Sequence, residues 1–276
     1  MVKSYQPESL QEALHLKKEI PQLVPYAGGT DLMIKDEEET AFLFLNKLQE
    51  LRQMKEDRRY LHIGAACTFT EMLASPLVPQ LLKAALSQIA APAIRNQATS
   101  GGNICNGSPK ADSALIYYAL DAVLKLVSAD GERLVPINEF YLGRNKTCLR
   151  PEELLVEILV PRKNWSNFYY KKIGARKALA ISRVAFAGVM EVREGRVINF
   201  AAAFGAVDNL ILRPYNLEKK VLGKTLAEVK SIKPELLKQY AEVINPISGR
   251  ISAQYRKKVC LNLLSDFVDV CGREEI

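Results

Sequence analysis

Hydrophobic and polar positions change period several times along this chain, and each change marks an element. Residues 9–18 carry Leu10, Ala13 and Leu14 at helical spacing and predict a short amphipathic helix. Residues 22–27 predict a strand ended by Gly28-Gly29, with Thr30 or Asp31 able to cap the next segment. Residues 41–45 and 60–65 predict further strands. In residues 79–89, Leu81, Leu82, Ala85, Leu86 and Ile89 share one helical face. A long glycine-rich turn comes next, and then an apolar helix over 111–120 that begins beside Asp112. Residues 123–127 and 133–137 flank Asp130-Gly131, a hairpin signal. Residues 154–160 predict a buried strand ended by Pro161. Strands follow over 168–173 and 184–192, the latter turning at Glu194-Gly195 into 197–204. From Arg213 onward the pattern is helical. It closes with a helix over 253–270 that aligns Tyr255, Val259, Leu263, Phe267 and Val270 and leaves Asn262 off the stripe. The sum is an α+β chain: an N-terminal βα region, a central α+β region, and a C-terminal sheet covered by helices. Residues 161–167 are the expected boundary.

Composition narrows the function classes. With 276 residues, 48% hydrophobic and 25% charged, the chain can bury more than one core and is not of disordered type. No apolar run is long enough to span a bilayer, and the segment from Met1 to Pro7 lacks the apolar core of a signal peptide. The five cysteines (Cys67, Cys105, Cys148, Cys260, Cys271) are scattered and odd in number. They offer neither a disulfide framework nor metal-ligand spacing, and a reduced cytoplasm is the expected setting. The net charge of +7 is dispersed, without a basic block, so it predicts a solvated surface, an anionic cofactor or an acidic partner rather than nucleic acid.

Candidate chemistry lies in two glycine-rich segments. The first is Ala27-Gly28-Gly29-Thr30-Asp31-Leu32. Here glycines let the backbone approach a ligand, consecutive N–H groups can bind a phosphate, and Thr30 adds a hydroxyl. A plain strand-to-helix turn capped by Thr30 accounts for the same residues. The second runs from Ile94 to Asp112 through Thr99-Ser100-Gly101-Gly102-Asn103. Asn103 offers an amide and Ser108 a hydroxyl, while Pro109 fixes the entry to the next helix. Asp112, in that helix's first turn, suits sugar or ribityl hydroxyls, although compensation of the helix N-terminus alone would explain a carboxylate there. Neither segment matches the dinucleotide fingerprint, the phosphate-binding loop of nucleotide hydrolases or the nucleophile elbow. His15 and His62 are expected to be structural, which leaves few candidates for hydrolase chemistry.

These residues, with His62-Ile63-Gly64-Ala65, Ile94-Arg95-Asn96 and Ser108-Pro109-Lys110-Ala111-Asp112, resemble the FAD-binding medium subunit of molybdenum hydroxylases. That family includes the flavin parts of xanthine, nicotinate and carbon monoxide dehydrogenases. The likeness covers essentially the whole chain: residues 172–184 resemble the opening of the family's C-terminal domain, and Ser252-Ala253-Gln254-Tyr255-Arg256 the start of its last helix.

The resemblance implies a two-lobed FAD-binding fold of the p-cresol methylhydroxylase/vanillyl-alcohol oxidase type plus a C-terminal α+β domain. Its divisions would be 1–55 and 56–163 for the FAD subdomains and 164–276 for the C-terminal domain. It implies that Ala27, Gly28, Gly29, Thr30, Asp31, Leu32 and Met33 cradle the FAD pyrophosphate. Thr99, Ser100, Gly101, Gly102 and Asn103, with Ser108, would continue the cradle. Asp112 would hold ribityl or ribose hydroxyls. Leu155 and Lys172 match positions that touch the flavin, and Ile89 one packed near its ring. Burial alone would account for the two aliphatics, whereas a cation at Lys172 would favour reduced anionic flavin. No catalytic acid or base and no metal is expected on this chain. Molybdopterin would sit on a large partner subunit and 2Fe-2S clusters on a small one, with NAD+ or another acceptor receiving the electrons. Ala180 stands where many family members have an acidic residue, a departure that bears on contacts near the flavin and on the acceptor. Two other readings remain open: a self-contained FAD oxidoreductase of the same superfamily, and a non-catalytic module that kept the fold.

Overall fold

The computed structural model describes residues 4–34, 40–248 and 251–272. In chain order the elements are α1 (Leu10–Glu19), β1 (Val24–Tyr26), β2 (Phe42–Phe44), β3 (Met54–Glu56), β4 (Tyr60–Gly64), α2 (Phe69–Ala74), α3 (Gln80–Leu86), α4 (Pro92–Arg95), α5 (Ser100–Cys105) and α6 (Asp112–Ala119). Then come β5 (Val123–Ser128), β6 (Gly131–Pro136), α7 (Ile137–Phe140), β7 (Tyr141–Gly143), β8 (Lys146–Thr147), β9 (Leu154–Pro161), β10 (Phe168–Ile173), β11 (Val184–Arg193), β12 (Arg196–Gly205), α8 (Tyr215–Glu218), α9 (Leu226–Val243) and α10 (Ala253–Cys271). The chain folds into two compact units. One is Met1–Val78, Ile89–Ser108 and Asp121–Arg162; the other is Pro79–Gln88, Pro109–Leu120 and Lys163–Ile276.

The first unit holds a five-stranded sheet in the order β3-β4-β9-β5-β6 and a two-stranded parallel pair, β1-β2. The predicted hairpin at Asp130-Gly131 joins β5 to β6, with Ser128 opposite Gly131. Leu14, Leu23, Leu43, Leu48, Leu154 and Val156 share one buried cluster under α1 and the β1-β2 pair. The hydrophobic pattern does not reveal several short elements of this unit, among them β3 and α2. The α2 start carries a usable signal nonetheless: Thr68 and Glu71 form a reciprocal capping box.

The second unit is built on the antiparallel sheet β10-β11-β12. Strand alternation sorts its side chains by size. Val184, Phe186, Met190, Phe200 and Phe204 share a core cluster with Leu264, Phe267 and Val268 of α10. The intervening positions are small: Ala185, Ala187, Ala201, Ala203 and Gly205, with α6 packed on them and Leu115 nearest Gly205. Cover on both faces explains why 184–190 of β11 and 200–205 of β12 read as continuous apolar runs. The 193–196 turn takes positive φ at Glu194 and Gly195, as a tight hairpin with strand twist requires.

The last helix corrects one expectation. Tyr255 and Val270, at the ends of the predicted stripe, are each 46% exposed, whereas Cys260, Leu263, Leu264, Phe267, Val268 and Cys271 are buried. A strict four-residue step drifts around a 3.6-residue helix, so the buried face alternates steps of three and four. Ile89 likewise falls beyond the end of α3 and is only half-buried.

Candidate functional site

The first glycine segment leaves β1 and doubles back at once. The Met33 N–H donates to the Gly29 carbonyl (3.0 Å) and the Ile34 N–H to that of Asp31 (3.3 Å), closing a single short turn over Leu32–Ile34. Gly29 has φ +67°, which glycine takes without strain. Among the described residues, nothing accepts a hydrogen bond from the backbone N–H groups of Gly28, Gly29, Thr30 or Asp31. These consecutive donors around a left-handed glycine form the kind of concavity that holds a phosphate. Ala27 to Thr30 and Leu32 are half-buried and Asp31 is exposed, so Asp31 offers its N–H while solvent screens its carboxylate. Met33 and Ile34 are 66% and 80% exposed.

Gly28 brings the second segment alongside. A Cβ on it would fall on the Gln97 carbonyl, with the Ala98 nitrogen 3.2 Å away. From there the chain runs beside residues 65–69. Phe69 N–H donates to Ala98 O (3.0 Å), Ser100 N–H to Cys67 O (3.0 Å) and Gly101 N–H to Ala65 O (2.8 Å). Residues 100–105, read from sequence as part of a long turn, are the helix α5. Thr99 is its N-cap and its Oγ1 accepts from Gly102 N–H (3.1 Å). The first N–H groups of this helix are therefore spent on the protein. Thr99 and Ser100 are buried, and a Cβ on Gly101 would lie 2.6 Å from that of Ala65. What the segment presents outward is Gly102, which is exposed. Asn103 and Ser108 are half-buried and have bonding partners within the protein.

In the second unit, Asp112 starts α6 and is 5% exposed. Its Oδ1 accepts from Ser182 Oγ (2.6 Å) and its Oδ2 lies 2.7 Å from Lys172 Nζ. Lys172 also donates to the Gln88 carbonyl (3.0 Å) and its side chain is 9% exposed. Tyr170, two residues earlier on β10, has a buried hydroxyl with no hydrogen-bond partner among the described residues. Burial, then the charge of Asp112, raises its pKa far above the usual phenol value. Sugar hydroxyls are the expected partners of Asp112, yet both of its oxygens already have protein donors. Sequence reasoning does not single out Ser182, Tyr170 or Gln88. Period-two alternation could pair Tyr170 with Lys172 on one face of β10, but nothing local marks Ser182.

Leu155 is 5% exposed in β9, opposite Leu126 of β5, in surroundings that sheet packing explains. His62 is engaged on both ring nitrogens, by Asp57 Oδ2 (2.9 Å) and Glu157 Oε2 (3.2 Å). Among the described residues there is no cluster of His, Cys, Asp and Glu that could hold a metal, and no helix long and apolar enough to cross a membrane.

Comparison with known proteins supplies independent findings. Residues 1–163 match the family model for the FAD binding domain in molybdopterin dehydrogenase, and 168–270 that for the carbon monoxide dehydrogenase flavoprotein C-terminal domain. The chain is 35% identical over 222 residues to the xanthine dehydrogenase FAD-binding subunit of Escherichia coli O157:H7, covering 76% of each chain. It is 29% identical over 289 residues to the nicotinate dehydrogenase FAD-subunit of Eubacterium barkeri, covering 98% of this chain and 96% of that one. Among solved structures, it superposes with a TM-score of 0.89 and 26% identity on a chain of the carbon monoxide dehydrogenase from Hydrogenophaga pseudoflava, covering 98% and 96% of the two chains.

Proposed function

Since this chain belongs to the family of FAD-binding medium subunits of molybdenum hydroxylases, we propose that it is the flavin relay of a multi-subunit dehydrogenase. FAD, when bound, supplies the exchange of electrons between 2Fe-2S clusters on a small partner subunit and NAD+ or another acceptor, while hydroxylation occurs at molybdopterin on a large partner. The observation that carries this reading is the set of N–H groups on Gly28, Gly29, Thr30 and Asp31, unbonded among the described residues, which Gly28 holds against Gln97.

In this proposal those N–H groups and the Thr30 hydroxyl hold the pyrophosphate. Ala27, Leu32 and Met33 wall the cradle. Thr99, Ser100 and Gly101 act by shape, keeping α5 tight against residues 65–67, and Gly102, Asn103 and Ser108 offer the outer surface. The roles of Leu155, Asp112 and Lys172 rest on the family resemblance: an aliphatic contact, hydroxyl binding through the remaining carboxylate lone pairs, and a cation beside the flavin. No side chain of this chain serves as acid or base; the protein binds, orients and tunes.

The visible absorption spectrum of the purified chain, followed by chromatography of what denaturation releases, tests this. A flavin spectrum with released FAD is expected. A colourless chain that also refuses added FAD overturns the relay and leaves a non-catalytic module.

A further inference from the structure

The connection between β10 and β11, residues 174–183, is closed upon itself. Arg183 N–H donates to Ile173 O (2.8 Å) at its base. Arg176 donates from Nε to the carbonyls of Ala178 (3.1 Å) and Leu179 (3.2 Å), and from Nη2 to Leu179 (2.7 Å). Leu179, at φ 52°, is 54% exposed and Ile181 is 74% exposed. Ser182 alone in this stretch is buried, at 3%. Its bond to Asp112 is the one side-chain hydrogen bond by which the connection reaches another element among the described residues. The same carboxylate holds Lys172, whose second acceptor is the carbonyl of Gln88, just beyond α3.

We infer that Ser182 is a positioning residue that ties the 174–183 connection to α6 and fixes the carboxylate of Asp112, so that Oδ2 holds the Lys172 ammonium in one place. A carboxylate this buried needs a donor on each oxygen. With Oδ1 bonded to the hydroxyl, the group cannot turn both oxygens onto the ammonium. Without the hydroxyl, the carboxylate turns to Lys172, neutralises it more completely, and frees the connection. Only the consequence for the flavin rests on the relay reading; the tether stands on the geometry alone.

The test uses the full chain as wild type, Ser182→Ala and Ser182→Thr. In the ligand-free state, trypsin is expected to cut after Arg176 and Lys177 several-fold faster in Ser182→Ala, with similar thermal midpoints. Ser182→Thr, which keeps a hydroxyl, is expected to restore the wild-type rate. Equal rates in wild type and Ser182→Ala overturn the tether. Should Ser182→Ala open the whole unit, Ser182→Cys, isosteric with a weaker donor, is compared in the same assay. With FAD bound, the flavin midpoint potential is expected to move more negative in Ser182→Ala and to return in Ser182→Thr. An unchanged potential overturns the positioning of Lys172 even if cleavage accelerates. A wild type that binds no FAD overturns the relay reading instead, and the cleavage rates still decide the tether.

Discussion

Gly28 makes its contribution by having no side chain. Its Cα lies so near the Gln97 carbonyl that a methyl group there would overlap backbone, which cannot swing away as a side chain can. Gly28→Ala must push the 27–33 segment off residues 97–98 and spoil the concavity of N–H donors. A cost of about 1–3 kcal/mol in folding stability is expected from overpacking. FAD affinity is expected to fall about tenfold or more, since misplaced donors lose over 1 kcal/mol of anion binding. Urea denaturation and a flavin fluorescence titration read the two effects; unchanged affinity would show that these donors do not hold the cofactor. The glycine pair is visible in the sequence because two adjacent glycines after an apolar run mark a turn, and a second glycine-rich segment at 99–103 turns that mark into a candidate cradle. Ser182 is not, because a serine in a polar connection looks like any other until α6 is folded beside it.

At the scale of elements, the β3-β4 turn carries a pH dependence of definite sign. Asp57 accepts from His62 Nε2 (2.9 Å) and from the N–H groups of Tyr60 (2.7 Å) and Arg59 (2.6 Å), which hold its carboxyl at about 2, below its ordinary 3.8. The unfolded chain therefore binds a proton that the folded turn refuses. Its stabilisation is complete above the ordinary carboxylate value and is lost as pH falls through the folded one. Asp57→Asn is expected to make the acid limb of stability shallower between about pH 4 and pH 2. Urea midpoints across that range check it, and an identical acid limb in wild type and variant would refute it. The limb will not vanish, since Glu228, held down chiefly by the Thr225 N–H, shares the same sign. Period explains which elements are readable. The long strands β9, β11 and β12 announce themselves by apolar continuity, and α1 and α3 by their stripes. The three-residue β3 has too few positions to show any period. The helix α5 is written in glycines that disfavour helix, and it is held by the Thr99 cap and by its bonds to Ala65 and Cys67.

For the whole molecule, cofactor binding and folding are linked. A ligand that binds only the folded chain raises its stability by about 2.7 kcal/mol at a hundredfold excess over Kd. Added FAD is thus expected to raise the thermal midpoint of the full chain. Riboflavin has the ring but no phosphate, so at equal concentration it is expected to raise the midpoint much less. Equal shifts in a calorimetric scan would mean that the pyrophosphate cradle contributes nothing.

The sequence by itself determined which residues could carry this chemistry and the class of fold that holds them. Periodicity reports burial directly, and paired glycines report backbone that must be bare. It could not determine which donors are left over for a ligand. In the sequence the N–H groups of Ser100 and Gly101, in a glycine-rich turn, are as available as those of Gly28 and Gly29, and only the folded chain spends the former on Cys67 and Ala65. Nor could it show that Asp112 already has Ser182 and Lys172 as partners. A hydrogen bond joins groups seventy residues apart as readily as neighbours. Whether a polar group serves the fold or a ligand is therefore settled only when the tertiary structure has allotted every other donor.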